Sequence, residues 1–149
     1  MTPRLDYART APEGTRALAQ LGTFIRGILE PELRELVNLR ASQINGCAYC
    51  IALHINAAHK LGMSEDRLHL LPAWRETDYY TDRERAALAL TEAVTRISDG
   101  PIPDDLYEEA KQHFSEQELA VLVMLIALIN SYNRLSITFQ TEPPAIVRE

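Results

Sequence analysis

Asn45-Gly46-Cys47-Ala48-Tyr49-Cys50-Ile51-Ala52-Leu53-His54-Ile55-Asn56-Ala57-Ala58-His59-Lys60-Leu61-Gly62 decides how the rest of the chain reads. Asn-Gly is a turn signal that releases the chain into a new element. After it, Cys47, Cys50, Ile51, His54, Ile55, Ala58 and Leu61 recur at helical spacing, so they share one stripe of an amphipathic helix. Gly62 stands where a helix commonly ends. Both cysteines of the chain lie on this stripe. Cys50 and His54 are i,i+4 neighbours, close enough for the imidazole to take or share the thiol proton. A dithiol with an adjacent base is a redox centre in outline.

Working outward, the same period recurs on both sides, and no alternating strand-like run competes with it. Leu18, Leu21, Ile25, Ile28 and Leu29 predict a helix over Pro12 to Leu29. Pro31 suits the first turn of the next helix, which turns Leu33, Leu36, Val37 and Ile44 inward. Beyond the motif, Ser64 caps a short helix toward Leu71 that Pro72 closes. Thr81 with Glu84, and Ser115 with Glu118, have the spacing of capping boxes and open helices reaching to about Ser98 and Gln140. Asp104 to His113 forms a short acidic helix between them. Pro143-Pro144 marks an extended tail. The expected fold is all-α, a single domain with an antiparallel helix pair carrying the Cys-x-x-Cys motif.

Composition narrows the function. The chain has 149 residues, 24% of them charged, with a net charge of −6 and no clustered basic face. That balance argues against a nucleic-acid footprint. The start, Met1-Thr2-Pro3-Arg4-Leu5-Asp6, lacks the apolar region of a secretory signal. The longest apolar run, Leu119 to Ile129, spans eleven residues, short of what crosses a bilayer. The expectation is a cytoplasmic protein without membrane partners, in a compartment where a close cysteine pair more often carries chemistry than a structural disulfide. The run from Leu119 is apolar on all sides, which fits a central core helix or one shared with a neighbouring subunit.

Two cysteines at i,i+3 can join where a helix end brings their Cα atoms to about 5.5 Å. At a helix N-terminus, amides and the dipole also favour a thiolate. Inert packing is the alternative for any buried cysteine. Zinc would need a fourth ligand beyond Cys47, Cys50 and His54. Haem attachment would need histidine where Ile51 stands, and a thioredoxin-like site would need flanking strands. No metal or cofactor is expected. Glu35 is the remaining candidate. It lies ten residues before Asn45, and His54 lies nine after. At 1.5 Å per residue both stand about 14 Å from the turn, level with each other on facing helices. A carboxylate there would orient the imidazole, although geometry alone equally allows a solvated surface glutamate. His59, His69 and His113 read as surface residues. Asn130, Asn133 and Arg134 read as the point where the last helix emerges or meets another chain.

With these residues in place, the chain resembles the alkylhydroperoxidase D (AhpD)-like family of the carboxymuconolactone decarboxylase superfamily. The family pattern is a glutamate, Cys-x-x-Cys twelve residues on, and histidine four residues after the second cysteine. Glu35, Cys47, Cys50 and His54 match it. The resemblance implies that Cys50 attacks hydroperoxide, that Cys47 resolves the sulfenic acid to a disulfide, and that Glu35 and His54 relay protons. It further implies a dithiol electron donor, possible donors including the dihydrolipoyl type, and a homo-oligomer, trimer or hexamer. Tyr49 departs from the histidine that the best-studied peroxidases of the family often carry between the cysteines. The decarboxylase branch lacks the cysteine pair, so Cys47 and Cys50 point away from lactone decarboxylation. A lyase using Glu35 and His54 without redox change, and a non-enzymatic redox-sensing protein, stand as alternatives.

Overall fold

The computed structural model describes residues 2–147. These form eight α-helices: α1 (Tyr7–Thr10), α2 (Pro12–Arg26), α3 (Pro31–Asn45), α4 (Ala48–Lys60), α5 (Glu65–His69), α6 (Asp82–Thr95), α7 (Asp104–His113) and α8 (Glu116–Phe139). Two short 3-10 segments, Leu71–Glu76 and Ile97–Asp99, link them, and no strand occurs among the described residues. The all-α expectation holds.

Local chemistry explains most of the boundaries. Thr81 and Ser115 each accept from the backbone amide three residues on, while Glu84 and Glu118 reach back to the cap amide. Both capping boxes are therefore formed. Pro12 and Pro31 sit in first turns, where a missing N–H leaves nothing unpaired. Gly46 ends α3 at φ 69°, and the Cys47 amide donates back to the Ser42 carbonyl at 3.0 Å. That is a Schellman closure, and its left-handed residue favours glycine.

The structure differs from expectation at several places. Helix α2 stops at Arg26, since Gly27 is a poor helix former. Ile28 and Leu29 follow as a turn, with Leu29 still buried. Helix α1 was not expected; Asp6 caps it by accepting from the Arg9 amide. Pro72 does not close a helix but sits in the first turn of the next 3-10 segment, which carries buried Trp74. Leu61 lies 41% exposed, so the α4 stripe ends at Ala58.

Helices α3 and α8 are the spine. Leu33 and Val37 pack with Ile25 of α2, Leu90 of α6, and Leu122 and Ile126 of α8. The adjacent face of α3 sends Leu36 and Leu39 into a second cluster with Ala58, Leu71, Trp74 and Leu88. At 24 residues, α8 extends well past the eleven-residue run and is long and apolar enough to cross a membrane by length and composition alone. Instead Leu119, Leu122, Ile126 and Ile129 are buried within the bundle. Val123, Met124 and Ile137 of α8, with Leu53 of α4, remain exposed.

Glu92 on α6 anchors the second cluster and gives a stability test. Its carboxylate is 8% exposed as a residue. It accepts from Trp74 Nε1 at 3.0 Å, Arg75 Nη1 at 2.7 Å and Arg40 Nε at 2.8 Å. Burial alone would push this carboxyl up, but the three donors more than offset that and hold it below the ordinary carboxylate value. A depressed folded value means that the stabilisation is complete above the unfolded value near 4.3 and fades as pH falls through the folded one. Glu92→Gln is expected to lower the unfolding free energy by about 2–3 kcal/mol at pH 7. Urea denaturation should show that gap narrowing below about pH 4. A gap unchanged by acid would contradict the ionic account.

Candidate active site

The site is built where α3 hands over to α4. After the Schellman turn, Cys47 takes extended dihedrals (φ −85°, ψ 95°) as the N-cap of α4. Its Sγ accepts from the Cys50 amide at 3.3 Å. A sulfur thus does what serine or aspartate usually does at this position. Cys47 and Cys50 are joined as a disulfide with Cα atoms 5.3 Å apart, inside the usual span of about 4.4–6.8 Å. Both are buried, at 1% and 2% exposed, and they pack against Ala41, Ile129, Tyr49 and Tyr132.

His54 stands one turn along α4 from Cys50. Its Nδ1 lies 2.7 Å from Glu35 Oε2, with both side chains about one-seventh exposed (15% and 14%). The level placement of Glu35 and His54 across the α3–α4 turn is therefore real, and the reading of Glu35 as a solvated glutamate is removed. With Nδ1 held by the carboxylate, Nε2 is the ring nitrogen left to exchange a proton with another group. Of the four sequence-predicted residues, Cys47 and Cys50 sit at the turn between α3 and α4, and Glu35 and His54 meet farther along the same helix pair.

Two openings lie along these helices. One is a cavity of about 400 Å³ that Glu35 and His54 line together with Arg26, Arg34, Ile129 and Tyr132. Ile129 and Tyr132 also pack with the cysteine cluster, while neither cysteine lines this cavity. The other, of about 600 Å³, is bordered by Gly46, Cys47, Tyr49, Ser136, Gln140 and Glu142. One opening therefore meets the Glu35–His54 pair, and the other meets Cys47.

A polar network beneath the turn was misread from the sequence. Asn133 does not mark an emerging helix end; it is fully buried. Its Nδ2 donates to Ser42 Oγ at 3.0 Å, and its Oδ1 accepts from Asn45 Nδ2 at 2.9 Å. Asn45 Nδ2 also donates to Asn130 Oδ1 at 2.9 Å, and Asn130 in turn donates to Thr95 Oγ1 at 3.1 Å. These bonds tie the residue before Gly46 to α8 and α6, and so fix the turn that presents Cys47. The signal was present as two asparagines three apart in an otherwise apolar helix, which places them on one face. His59 is also not a surface residue: its side chain is 9% exposed, with Nδ1 2.8 Å from the Val147 carbonyl. His69 and His113 lie beside Glu65 and Glu109 on exposed helices, as expected.

Comparison with known proteins places this arrangement. The model of the carboxymuconolactone decarboxylase family matches residues 12–93, the segment that contains Glu35, both cysteines and His54. The uncharacterised protein YdfG of Bacillus subtilis is 40% identical over 138 residues, covering 92% of this chain and 94% of its own length. A protein of unknown function from Agrobacterium tumefaciens, described as a candidate AhpD antioxidant defence protein, superposes with a TM-score of 0.92. It is 36% identical and covers 97% of this chain and 99% of its own. The debrominase Bmp8 has the same fold at a TM-score of 0.78 and 20% identity, over 92% of this chain and 74% of its own. With the family model spanning more than half of the sequence and the whole helical order shared, the chain belongs to the carboxymuconolactone decarboxylase family, as an AhpD-like member.

Proposed function

We propose that this protein is a thiol peroxidase that reduces organic hydroperoxides through Cys50 and Cys47, using Glu35 and His54 to move protons. The observation that carries this reading is the close grouping of a Cys47–Cys50 disulfide with a histidine one turn on, itself bonded to a half-buried carboxylate at 2.7 Å. In the reduced protein His54 takes the Cys50 proton. The thiolate attacks the terminal peroxide oxygen, forming an S–O bond while the O–O bond breaks. The leaving alkoxide collects the proton held by His54 and departs as the alcohol, leaving Cys50 as a sulfenic acid. The Cys47 thiol then attacks the Cys50 sulfur, water leaves, and the disulfide forms. An external dithiol donor, for which the dihydrolipoyl type is a fitting class, restores both thiols by two exchange steps. The sum is hydroperoxide plus dithiol giving alcohol, water and donor disulfide.

The test is hydroperoxide consumption by the protein in the presence of a panel of dithiols. Catalytic turnover with at least one of them, lost on alkylating the protein's thiols, is the expected result. Because a debrominase shares the fold, 2,3,4-tribromopyrrole belongs in the same assay as a comparison substrate. Debromination without any peroxide turnover would replace the present reading.

A further inference from the structure

The 400 Å³ cavity beside Glu35 and His54 carries a charge pattern that the proton relay does not use. In this acidic chain of net charge −6, several guanidiniums meet carboxylates: Arg40 and Arg75 on Glu92, Arg67 on Glu32 and Glu84, Arg83 on Glu30 and Glu118. Arg16, Arg26 and Arg34 line the cavity instead. Among the described residues, none of these three forms a salt bridge. Arg26 donates to Thr23 Oγ1 at 2.8 Å. The Arg34 Nε is buried with no hydrogen-bond partner in the described chain. Burial pushes the Arg34 guanidinium down; the charge of Arg26 pushes the same way, and Glu35 opposes both. Among the described residues Glu35 is the one carboxylate lining the cavity, and it is engaged by His54. The rest of the wall is largely apolar, with Ile25, Leu125, Leu128 and Ile129.

Three cations lining one space with a single carboxylate among them is an unfavourable arrangement for an empty cavity. It becomes favourable when an anion occupies it, since guanidinium pairs with carboxylate through charge-assisted and often bidentate bonds. The volume falls within the roughly 300–1,000 Å³ usual for small-molecule sites. Resting on the peroxidase reading above, we propose that the substrate is a carboxylate-bearing organic hydroperoxide, its carboxylate held by Arg16, Arg26 and Arg34 and its apolar body against α8. Held so, the peroxide end lies at the His54–Glu35 side of the cavity.

The experiment compares a hydroperoxy fatty acid with its methyl ester under donor-driven turnover. In parallel, calorimetry follows binding of the matching non-peroxidic carboxylate and its neutral amide to the oxidised protein. The wild type is expected to prefer the acid by about tenfold or more in kcat/KM, with the preference shrinking as salt is raised. Arg34→Gln is expected to reduce the acid-to-ester ratio of kcat/KM, and the carboxylate affinity, by roughly 10- to 100-fold. Arg16→Gln, at an exposed position that disturbs no buried donor, should act in the same direction. If the ester turns over as well as the acid and the carboxylate does not bind, this inference falls while the peroxidase reading stands. Arginine-dependent carboxylate binding without turnover of either hydroperoxide sustains the anion site and removes the peroxidase reading.

Discussion

A Cys50→Ser variant is expected to consume no hydroperoxide above the uncatalysed rate, whereas Cys47→Ser should react once and stop. The asymmetry follows from where the two sulfurs sit. Cys50 is one turn inside α4, i,i+4 to His54, so the base that frees a thiolate is placed for it. Cys47 is the N-cap, accepting from the Cys50 amide and bordering the 600 Å³ opening, which Glu35 does not line. On the proposed mechanism it attacks an oxidised Cys50. In Cys47→Ser the sulfenic acid on Cys50 has no resolving thiol, and a dimedone-type probe should label one site per chain. Serine at position 50 offers a hydroxyl with no oxidisable sulfur, so nothing is labelled. If the labelled variant is Cys50→Ser instead, the roles of the two cysteines are exchanged.

The second large effect belongs to the relay. Thiolate is the reacting form, and a free cysteine ionises near pH 8.5, so only a few per cent is ionised at neutral pH. On the proposed relay, His54→Ala removes the proton acceptor and should slow Cys50 alkylation at pH 7 by up to about thirtyfold, the span between a few per cent and full ionisation. Glu35→Gln leaves the imidazole in place but replaces the charged partner 2.7 Å from Nδ1 with a neutral amide. A smaller loss, roughly tenfold, is expected. Both deficits should shrink as pH rises past about 8.5, because hydroxide then ionises the thiol unaided. Alkylation rates from pH 5 to 10, a range chosen to bracket the free thiol, separate this from a structural role. A deficit that is the same at every pH would mean that Glu35 and His54 only shape the fold.

What could be read from the sequence, and what could not, divides along local and non-local lines. The α4 stripe, the Gly46 turn and both capping boxes rest on residues within one or two turns of each other, and all appear in the structure. Even the Glu35–His54 pair, nineteen residues apart, was accessible, because a tight turn makes distance along two helices a ruler. Its meaning depended on the family pattern, since spacing cannot distinguish a facing carboxylate from a solvated one. The errors are of another kind. Leu61 fits the helical period yet stays exposed, lining a surface pocket with Pro31, Leu33 and Thr81 instead of packing beneath them. His59 looked exposed because the segment that covers it comes from residues 145–147, far along the chain. Asn133 looked like a helix end because its partners Ser42 and Asn45 are almost ninety residues or more away, at separations of 91 and 88. The arginine wall was invisible for the same reason: Arg16 and Arg26 come from α2 and Arg34 from α3, scattered singly in sequence and gathered only by helix packing.

The central claim is that the cysteine pair is the redox agent, and one measurement addresses it without any donor. The protein is reduced, freed of reductant under argon, and mixed with one equivalent of an organic hydroperoxide, after which thiols and product alcohol are counted. Two thiols lost for each alcohol formed, with the Cys47–Cys50 disulfide regained, is the predicted outcome. Alcohol formed with both thiols intact, or thiols intact and hydroperoxide unconsumed, would contradict it.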